Sequence, residues 1–229
     1  MSTRTRSDAA PVPRDAVLSA FLDVHAPFVP VPLAPEVSVF QARGLVEVWE
    51  AAERLAGDVV SPPFWAFAWP GGAALARTLL DHPDKVAGRR VLDLGTGGGV
   101  AALAAARAGA REVVANDLDP WALATARLAA IRQGLSLTLL PGDLTLTPAM
   151  AEEFDVVLCG DMAYERSVAP RIRAFLERAR AAGATVLVAD AGRAYFDATG
   201  MRLLGAWTLS VPEDLEGVRE RTARVYEVE

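Results

Sequence analysis

The period of the hydrophobic pattern changes twice along the chain. Between positions 45 and 55 apolar residues recur at Leu45, Val48, Trp49, Ala52 and Leu55, one face of a helix that Gly57 brings to an end. Residues 14–24 repeat that spacing at Val17, Leu18, Phe21 and Leu22 and predict a shorter helix. Between the two lies Ala26-Pro-Phe-Val-Pro-Val-Pro-Leu-Ala-Pro-Glu36, with four prolines. Each proline fixes its own φ and turns the preceding residue away from helix, so the segment reads as an extended strap. A helix with Leu75, Leu79 and Leu80 inward is expected after Gly72. From position 90 onward short apolar runs alternate with helical stretches: strands over 90–94, 112–116, 135–140, 154–159 and 185–189, helices over 100–108, 120–133 and 169–182. Pro120 suits the first turn of its helix, where a missing N–H costs nothing. Two final apolar runs, 203–211 and 223–228, follow with no convincing helix between them.

Alternating strands and helices with near-continuous apolar strands predict a parallel sheet covered on both faces, and the last two strands an antiparallel pair at one edge. The expected fold is α/β: a doubly wound, mostly parallel sheet of about seven strands with an antiparallel edge strand. Residues 1–13 are polar and Pro-punctuated and read as a disordered tail, 14–60 as a helical and Pro-rich extension, and 61–229 as the main domain.

Composition narrows the function classes. The 229 residues suffice for one sizeable core, and 52% hydrophobic with 23% charged residues marks a globular chain. A net charge of −6 and a pI near 5.1 supply no basic footprint for nucleic acid. The lone Cys159 falls inside a strand and reads as a small core residue, in keeping with a reducing compartment. His25 and His82 lack partners at ligand spacing, so no metal is expected. No window approaches the ~20 apolar residues of a membrane span, and the basic N-terminus has no apolar run behind it. A cytoplasmic location is expected, without membrane or nucleic-acid partners; the oligomeric state is left open.

The chemistry concentrates in Arg90-Val-Leu-Asp-Leu-Gly-Thr-Gly-Gly-Gly-Val100, which puts glycines at 95, 97, 98 and 99 between a strand and a helix. Glycine is needed where φ is positive or where a Cβ would touch a ligand, and ligands of open parallel sheets bind at the strands' carboxyl ends. A dinucleotide fingerprint, G-x-G-x-x-G, would require its third glycine at Val100 or at Ala102, depending on register. That reading is weakened and stays open as a nicotinamide oxidoreductase, although no Tyr-x-x-x-Lys or histidine is placed as its proton donor. Asp117 closes the second strand, where a carboxylate can accept from both ribose hydroxyls; it could instead cap the next helix, for which Asp119 is better placed. Asp143 and Asp161 close the next two strands, and Asp143, in Pro-Gly-Asp, could be an ordinary turn residue.

The spacing Asp93-Leu-Gly95-Thr-Gly97-Gly-Gly99 resembles motif I of the class I S-adenosylmethionine-dependent methyltransferases, which have a seven-stranded Rossmann-like sheet. The resemblance implies S-adenosyl-L-methionine as cofactor. It puts Asp93, Gly95, Thr96, Gly97 and Gly99 at the methionine and ribose portions, with Asp93 serving the amino group directly, through water or by fixing the loop. Asp117 and Leu118 would meet the ribose, Asp143 and Leu144 the adenine, and Asp161 the methyl acceptor.

Asp161-Met-Ala-Tyr164 has the acid-to-aromatic spacing of N/D-P-P-Y/F without its prolines, and as D-x-x-Y it is similar to the seven-strand protein-lysine methyltransferases. A second likeness lies in Pro62-Pro-Phe-Trp-Ala-Phe-Ala-Trp-Pro-Gly-Gly72 with Ala74-Leu-Ala-Arg77, in Leu33-Ala-Pro-Glu-Val37 and in Ala115-Asn-Asp-Leu-Asp-Pro120. These resemble the electron-transfer-flavoprotein β-subunit lysine methyltransferases and their bacterial relatives, from about Pro32 to Val228. The implied acceptor is a lysine of a protein, such as that β subunit; a small-molecule amine and a non-catalytic binding module are the rival readings. Phe64, Trp65, Phe67 and Trp69 exceed what one short element can bury, so Trp65 and Trp69 are expected to wall a cleft over the cofactor, with core packing as the alternative. Asp161 is expected to orient the amine and stabilise its developing charge, and Tyr164 to supply a second hydrogen bond.

Overall fold

The structure, a computed structural model, describes residues 12–229; positions 1–11 of the expected tail lie outside the described residues. The N-terminal part comprises α1 (Asp15–His25), β1 (Phe28–Val31), β2 (Ala34–Phe40) and α2 (Leu45–Ala56). The proline strap is extended, as expected, but it is also paired: β1 and β2 form an antiparallel hairpin with Phe28 opposite Phe40 and Pro30 opposite Ser38. A two-stranded ribbon leaves each strand one open edge, where a residue without an N–H breaks no ladder bond. The sequence showed where the backbone is extended, and the pairing came from apolar residues on both arms, Val31, Val37, Val39 and Phe40, all buried.

After a short 3-10 turn at Phe64–Ala66 come α3 (Pro70–Asp81), β3 (Arg90–Leu94), α4 (Val100–Arg107), β4 (Glu112–Asp117), α5 (Pro120–Arg132), β5 (Thr138–Pro141) and β6 (Val156–Gly160). Then follow α6 (Ala169–Ala181), β7 (Thr185–Asp190), β8 (Met201–Ser210), α7 (Glu213–Glu216) and β9 (Glu220–Val228). The expected strand from 135 starts only at Thr138, because Gly134 holds a left-handed φ of 66° that ends the preceding helix and delays pairing. The last connection carries the short helix α7, which no periodicity announced.

The main sheet has seven strands in the order β5-β4-β3-β6-β7-β9-β8. Strands β3 to β7 run parallel, and β9 is antiparallel to both neighbours. The chain moves outward from β3 through β4 to β5, then returns to place β6 on the other side of β3, so the switch point lies between β3 and β6. Alternate residues serve two cores. Val91, Val113, Leu158 and Leu187 pack with α3, α4, α5 and the N-terminal elements, while Leu92, Val114, Cys159 and Val188 pack with α6. The second face is thinly covered, since between β5 and β6 the chain makes only 3-10 turns, at Leu144–Leu146 and Pro148–Glu153. Cys159 is buried there with its thiol pKa raised by burial. Among the described residues no helix is long and apolar enough to cross a membrane.

One side chain joins the hairpin to the sheet's helical layer. At the end of α5, Gln133 accepts from the Ser38 N–H (3.0 Å) and donates to the Ser38 carbonyl (2.9 Å), pairing with β2 as another strand would. Removing it strands both backbone groups. Gln133→Ala is expected to cost about 1–3 kcal/mol and to lower Tm by several degrees in thermal denaturation; an unchanged Tm would mean that the hairpin is seated by its other contacts, apolar packing and the Arg77–Glu36 pair among them.

Candidate functional site

The register of the parallel strands brings their carboxyl ends level. Leu94 lies beside Asn116 and Cys159, Asp117 beside Pro141, and Gly160 beside Ala189. The loops that leave these ends carry Gly95 to Gly99, Asp117, Asp143, Asp161 and a further acid, Asp190, along one edge of the sheet.

The glycine turn is held from below by Asp93. This carboxylate is 3% exposed, and its Oδ2 accepts from Thr96 Oγ1 (2.6 Å) and from the Ala102 N–H (3.1 Å). Of the roles open to it, the one it fills here is fixing the loop, and Thr96 is likewise spent on that bond and on the Asn116 carbonyl. Burial pushes the Asp93 carboxyl up to about 6, against the two bonds that favour its charged form. Gly95, Gly97 and Gly99 have φ of 69°, 53° and 89°, left-handed values that a side chain resists. Close approach adds a second requirement, since a Cβ on Gly98 would stand 2.5 Å from the Trp65 carbonyl oxygen. At Gly97 a Cβ would meet nothing nearer than 4.0 Å, so bare main chain there faces open space. At Gly95 a Cβ would collide with the Met162 thioether, which covers that residue.

Asp117 is half-buried. Its Oδ2 accepts from Gly97 N–H and its Oδ1 from Asp119 N–H, both at 2.9 Å, leaving a lone pair on each oxygen; burial raises its pKa. The capping role falls to Asp119, which accepts from Trp121 N–H (2.9 Å) at the start of α5. Beside it Leu118 is 66% exposed, an apolar side chain offered to the rim of the site. Asp143 caps the following turn through Thr145 N–H (3.0 Å) and meets Arg171 at 3.3 Å, with Leu144 buried behind it. Asn116, unremarked in the sequence, donates to the carbonyls of Leu140 (2.8 Å) and Gly142 (2.9 Å) and so fixes that loop. These groups fit an adenosyl ligand: open glycine main chain, a carboxylate with spare lone pairs, and an exposed apolar flank.

The acceptor side corrects two expectations. Asp161 is not poised toward an incoming amine. It is 7% exposed, at φ 52°, and its Oδ2 accepts from Gly71 N–H (2.6 Å) while Oδ1 accepts from Ala191 N–H (3.0 Å) and Arg193 Nε (3.1 Å). Its carboxylate ties together the start of α3, the end of β7 and the next loop, which makes it a positioning residue. Trp65 does not wall a cleft either. It is 3% exposed and stacks on Trp121 of α5 at 6.0 Å, so core packing took the ring while its carbonyl closed on the glycine turn. Trp69 is half-buried, with Nε1 donating to the Phe64 carbonyl (2.8 Å) and the Arg193 guanidinium 5.1 Å above its ring. Phe64 stands edge-on to Trp69 (5.7 Å) and to Tyr164 (6.4 Å), so an aromatic mouth forms from exposed Phe64 and Tyr164 with half-buried Trp69.

Sequence reasoning missed the polar network behind this mouth. Arg193 makes a bidentate pair with the buried Glu216 (2.9 and 3.0 Å) as well as its bond to Asp161, and Arg221 meets the same glutamate at 3.1 Å. No local spacing links those positions. Asp190 had a signal: it ends the strand Thr185-Val-Leu-Val-Ala-Asp190 as the other acids end theirs. Burial pushes its carboxyl up to about 6.

With the geometry in place, comparison with known proteins gives a consistent picture. Residues 91–198 match the family described as Methyltransferase domain. The electron transfer flavoprotein beta subunit lysine methyltransferase of Rattus norvegicus is 36% identical over 185 residues, 78% of this chain and 71% of that protein. Its Danio rerio counterpart is 40% identical over 141 residues, 61% of this chain and 54% of that protein. The crystal structure of TrmN from Thermus thermophilus shares the fold, with a TM-score of 0.51 and 24% identity over 98% of this chain and 80% of that one.

Asp93 also imposes a pH dependence. Its folded-state pKa of about 6 exceeds the ordinary 3.8, so between these values the folded chain holds a proton that the unfolded chain has lost. The sign follows: this contribution is full below pH 3.8 and disappears as pH rises through about 6. Asp93→Asn keeps the acceptor and removes the titration. Urea denaturation at pH 4 and pH 7 is expected to show a stability loss between them that is smaller in the variant by about 2 kcal/mol; identical losses would exclude Asp93 as the buried titrating group.

Proposed function

Since the chain belongs to the class I S-adenosylmethionine-dependent methyltransferases, in the family of the electron transfer flavoprotein beta subunit lysine methyltransferases, we propose that it methylates lysine side chains of a protein, the β subunit of electron transfer flavoprotein being the first candidate. The nicotinamide alternative falls with that membership. The observation that carries the lysine reading is the aromatic mouth, exposed Phe64 and Tyr164 beside half-buried Trp69, at the edge of a row of strand-end carboxylates. Ring faces and carboxylates together favour an aliphatic cation over a neutral or anionic acceptor.

S-adenosylmethionine, when bound, supplies an electrophilic methyl group. Asp117 would hold the ribose hydroxyls through the lone pairs left on its two oxygens, and Leu118 would cover the neighbouring ring. Asp143 and the turn it caps would border the adenine, with Arg171 drawing on the same carboxylate. The bare main chain at Gly97 admits the ligand where a side chain would exclude it, and the Met162 side chain must leave Gly95 for the ligand to lie along the whole turn. The protein's contribution at the acceptor is to orient and to desolvate. A lysine with a reference pKa near 10.4 is attracted to the mouth as its ammonium and must lose a proton to water before its nitrogen can attack. Tyr164 stands at that mouth, where it can order the nitrogen.

Two measurements test this. Asp117→Ala is expected to weaken S-adenosylmethionine binding by about tenfold or more, the order for losing hydrogen bonds to a charged group, as read by calorimetry; wild-type affinity would remove Asp117 from the site. Incubating the chain with S-adenosylmethionine and the β subunit from the same source should place methyl groups on lysine in peptide mass mapping. Methylation confined to another residue type, or to a small amine in the cell extract, would refute the protein-lysine reading.

A further inference from the structure

On the α6 face of the sheet lies a cavity of about 400 Å³. Its lining is largely apolar and includes Met162, Cys159, Ile172, Val188 and Tyr195, and it also includes Asp190. Strand alternation puts Asp190 on the face of Val186 and Val188, which pack with α6, so the cavity and the carboxylate share a side of the sheet. Asp190 is 3% exposed. Its Oδ1 accepts from Gly192 N–H (2.6 Å) and Arg193 N–H (2.9 Å), whereas its Oδ2 is buried and accepts no hydrogen bond from the protein. The nearby guanidinium of Arg193 is already committed to Asp161 and Glu216. A buried carboxylate oxygen left without a donor is costly, so a water or a ligand has to supply one.

The cavity is also next to the glycine turn. Met162 lines it and rests on Gly95 at the same time, so one flexible thioether separates the two spaces. A largely apolar lining, with Arg166, Arg173 and Asp197 as its other charged members and an unpaired carboxylate oxygen on the same side of the sheet, fits an alkyl chain ending in an ammonium group. We propose that this cavity receives the acceptor's aminoalkyl chain, with Asp190 Oδ2 as the anionic partner of its primary ammonium. The identification of that chain as lysine rests on the function proposed above, but the binding chemistry does not. Asp190 thus takes the contact with the acceptor that the sequence assigned to Asp161, and Asp161 holds the loop that carries it.

The test uses n-butylammonium chloride as the probe and n-pentanol as its uncharged counterpart, titrated calorimetrically into the full chain saturated with S-adenosylhomocysteine. Butylammonium is expected to bind the wild type and to bind Asp190→Asn at least tenfold more weakly, while pentanol does not distinguish the two. The Asn variant keeps an acceptor for Gly192 and Arg193. Ala163→Phe, which fills the cavity and leaves Asp190 in place, should also lose butylammonium; retained S-adenosylhomocysteine binding reports that both variants fold. Binding to the wild type should weaken as pH falls through about 6, where Asp190 takes up a proton. The charged and titratable groups around it are Asp161 and Cys159 from β6, Arg166 and Arg173 from the α6 side, and Arg193, Tyr195 and Asp197 beyond β7. Comparison with Asp190→Asn at each pH subtracts their effect. Equal binding to wild type and Asp190→Asn, or no binding to the wild type, overturns the proposal. Failure of the protein-lysine reading would leave the butylammonium result standing, whereas failure here would leave Asp190→Asn methylating lysine at the wild-type rate.

Discussion

The acceptor half of the site depends on one carboxylate. Asp161 sits in the left-handed region at the tip of β6, and its two oxygens gather an N–H from the first turn of α3, an N–H from the end of β7 and the side chain of Arg193. Gly71 can have no side chain there, since a Cβ would come within 2.7 Å of Asp161 Oδ2. Because α3 begins directly after Trp69, the clamp also sets where the aromatic mouth stands relative to the sheet. Arg193 extends the same constraint to Glu216 and hence to α7 and the far edge of the sheet. Removing one partner from a buried ion pair leaves an uncompensated charge, typically at a cost of about 3–5 kcal/mol. The arrangement is therefore all-or-none.

The two halves of the site are built from different materials. On the cofactor side the specifying contacts are main-chain ones: glycine against the Trp65 carbonyl, Gly99 against Ala126, and backbone N–H groups against Asp93 and Asp117. On the acceptor side a chain of side chains, Asp161 to Arg193 to Glu216, joins backbone N–H groups of Gly71 and Ala191 from distant parts of the sequence. The first half constrains residue identity at short range along the chain, and the second does not.

That difference explains what could be read in advance. Strands and helices of the sheet were legible because their apolar periods are 2 and 3.6, and Asp117 was legible because its strand ends there. The hairpin was hidden because prolines report extension but not a partner. The ring count around Trp65 was sound, yet it could not say which ring would stack on Trp121, more than fifty residues away in sequence. For Asp161 the spacing fixed a position but not the donors that reach it from residues 71, 191 and 193. Asp190 follows its expected strand as Asp117 follows its own, and it was passed over because neither spacing nor resemblance gave that position a role.

Met162 has a consequence for the order of events. Its thioether occupies the surface of Gly95 and forms part of the wall of the neighbouring cavity. A ligand that displaces it from one side bears the reorganisation cost once, and a second ligand arriving on the other side meets a wall already moved. The two affinities are then thermodynamically linked through a single rotamer, and whichever molecule enters first prepares the way for the other.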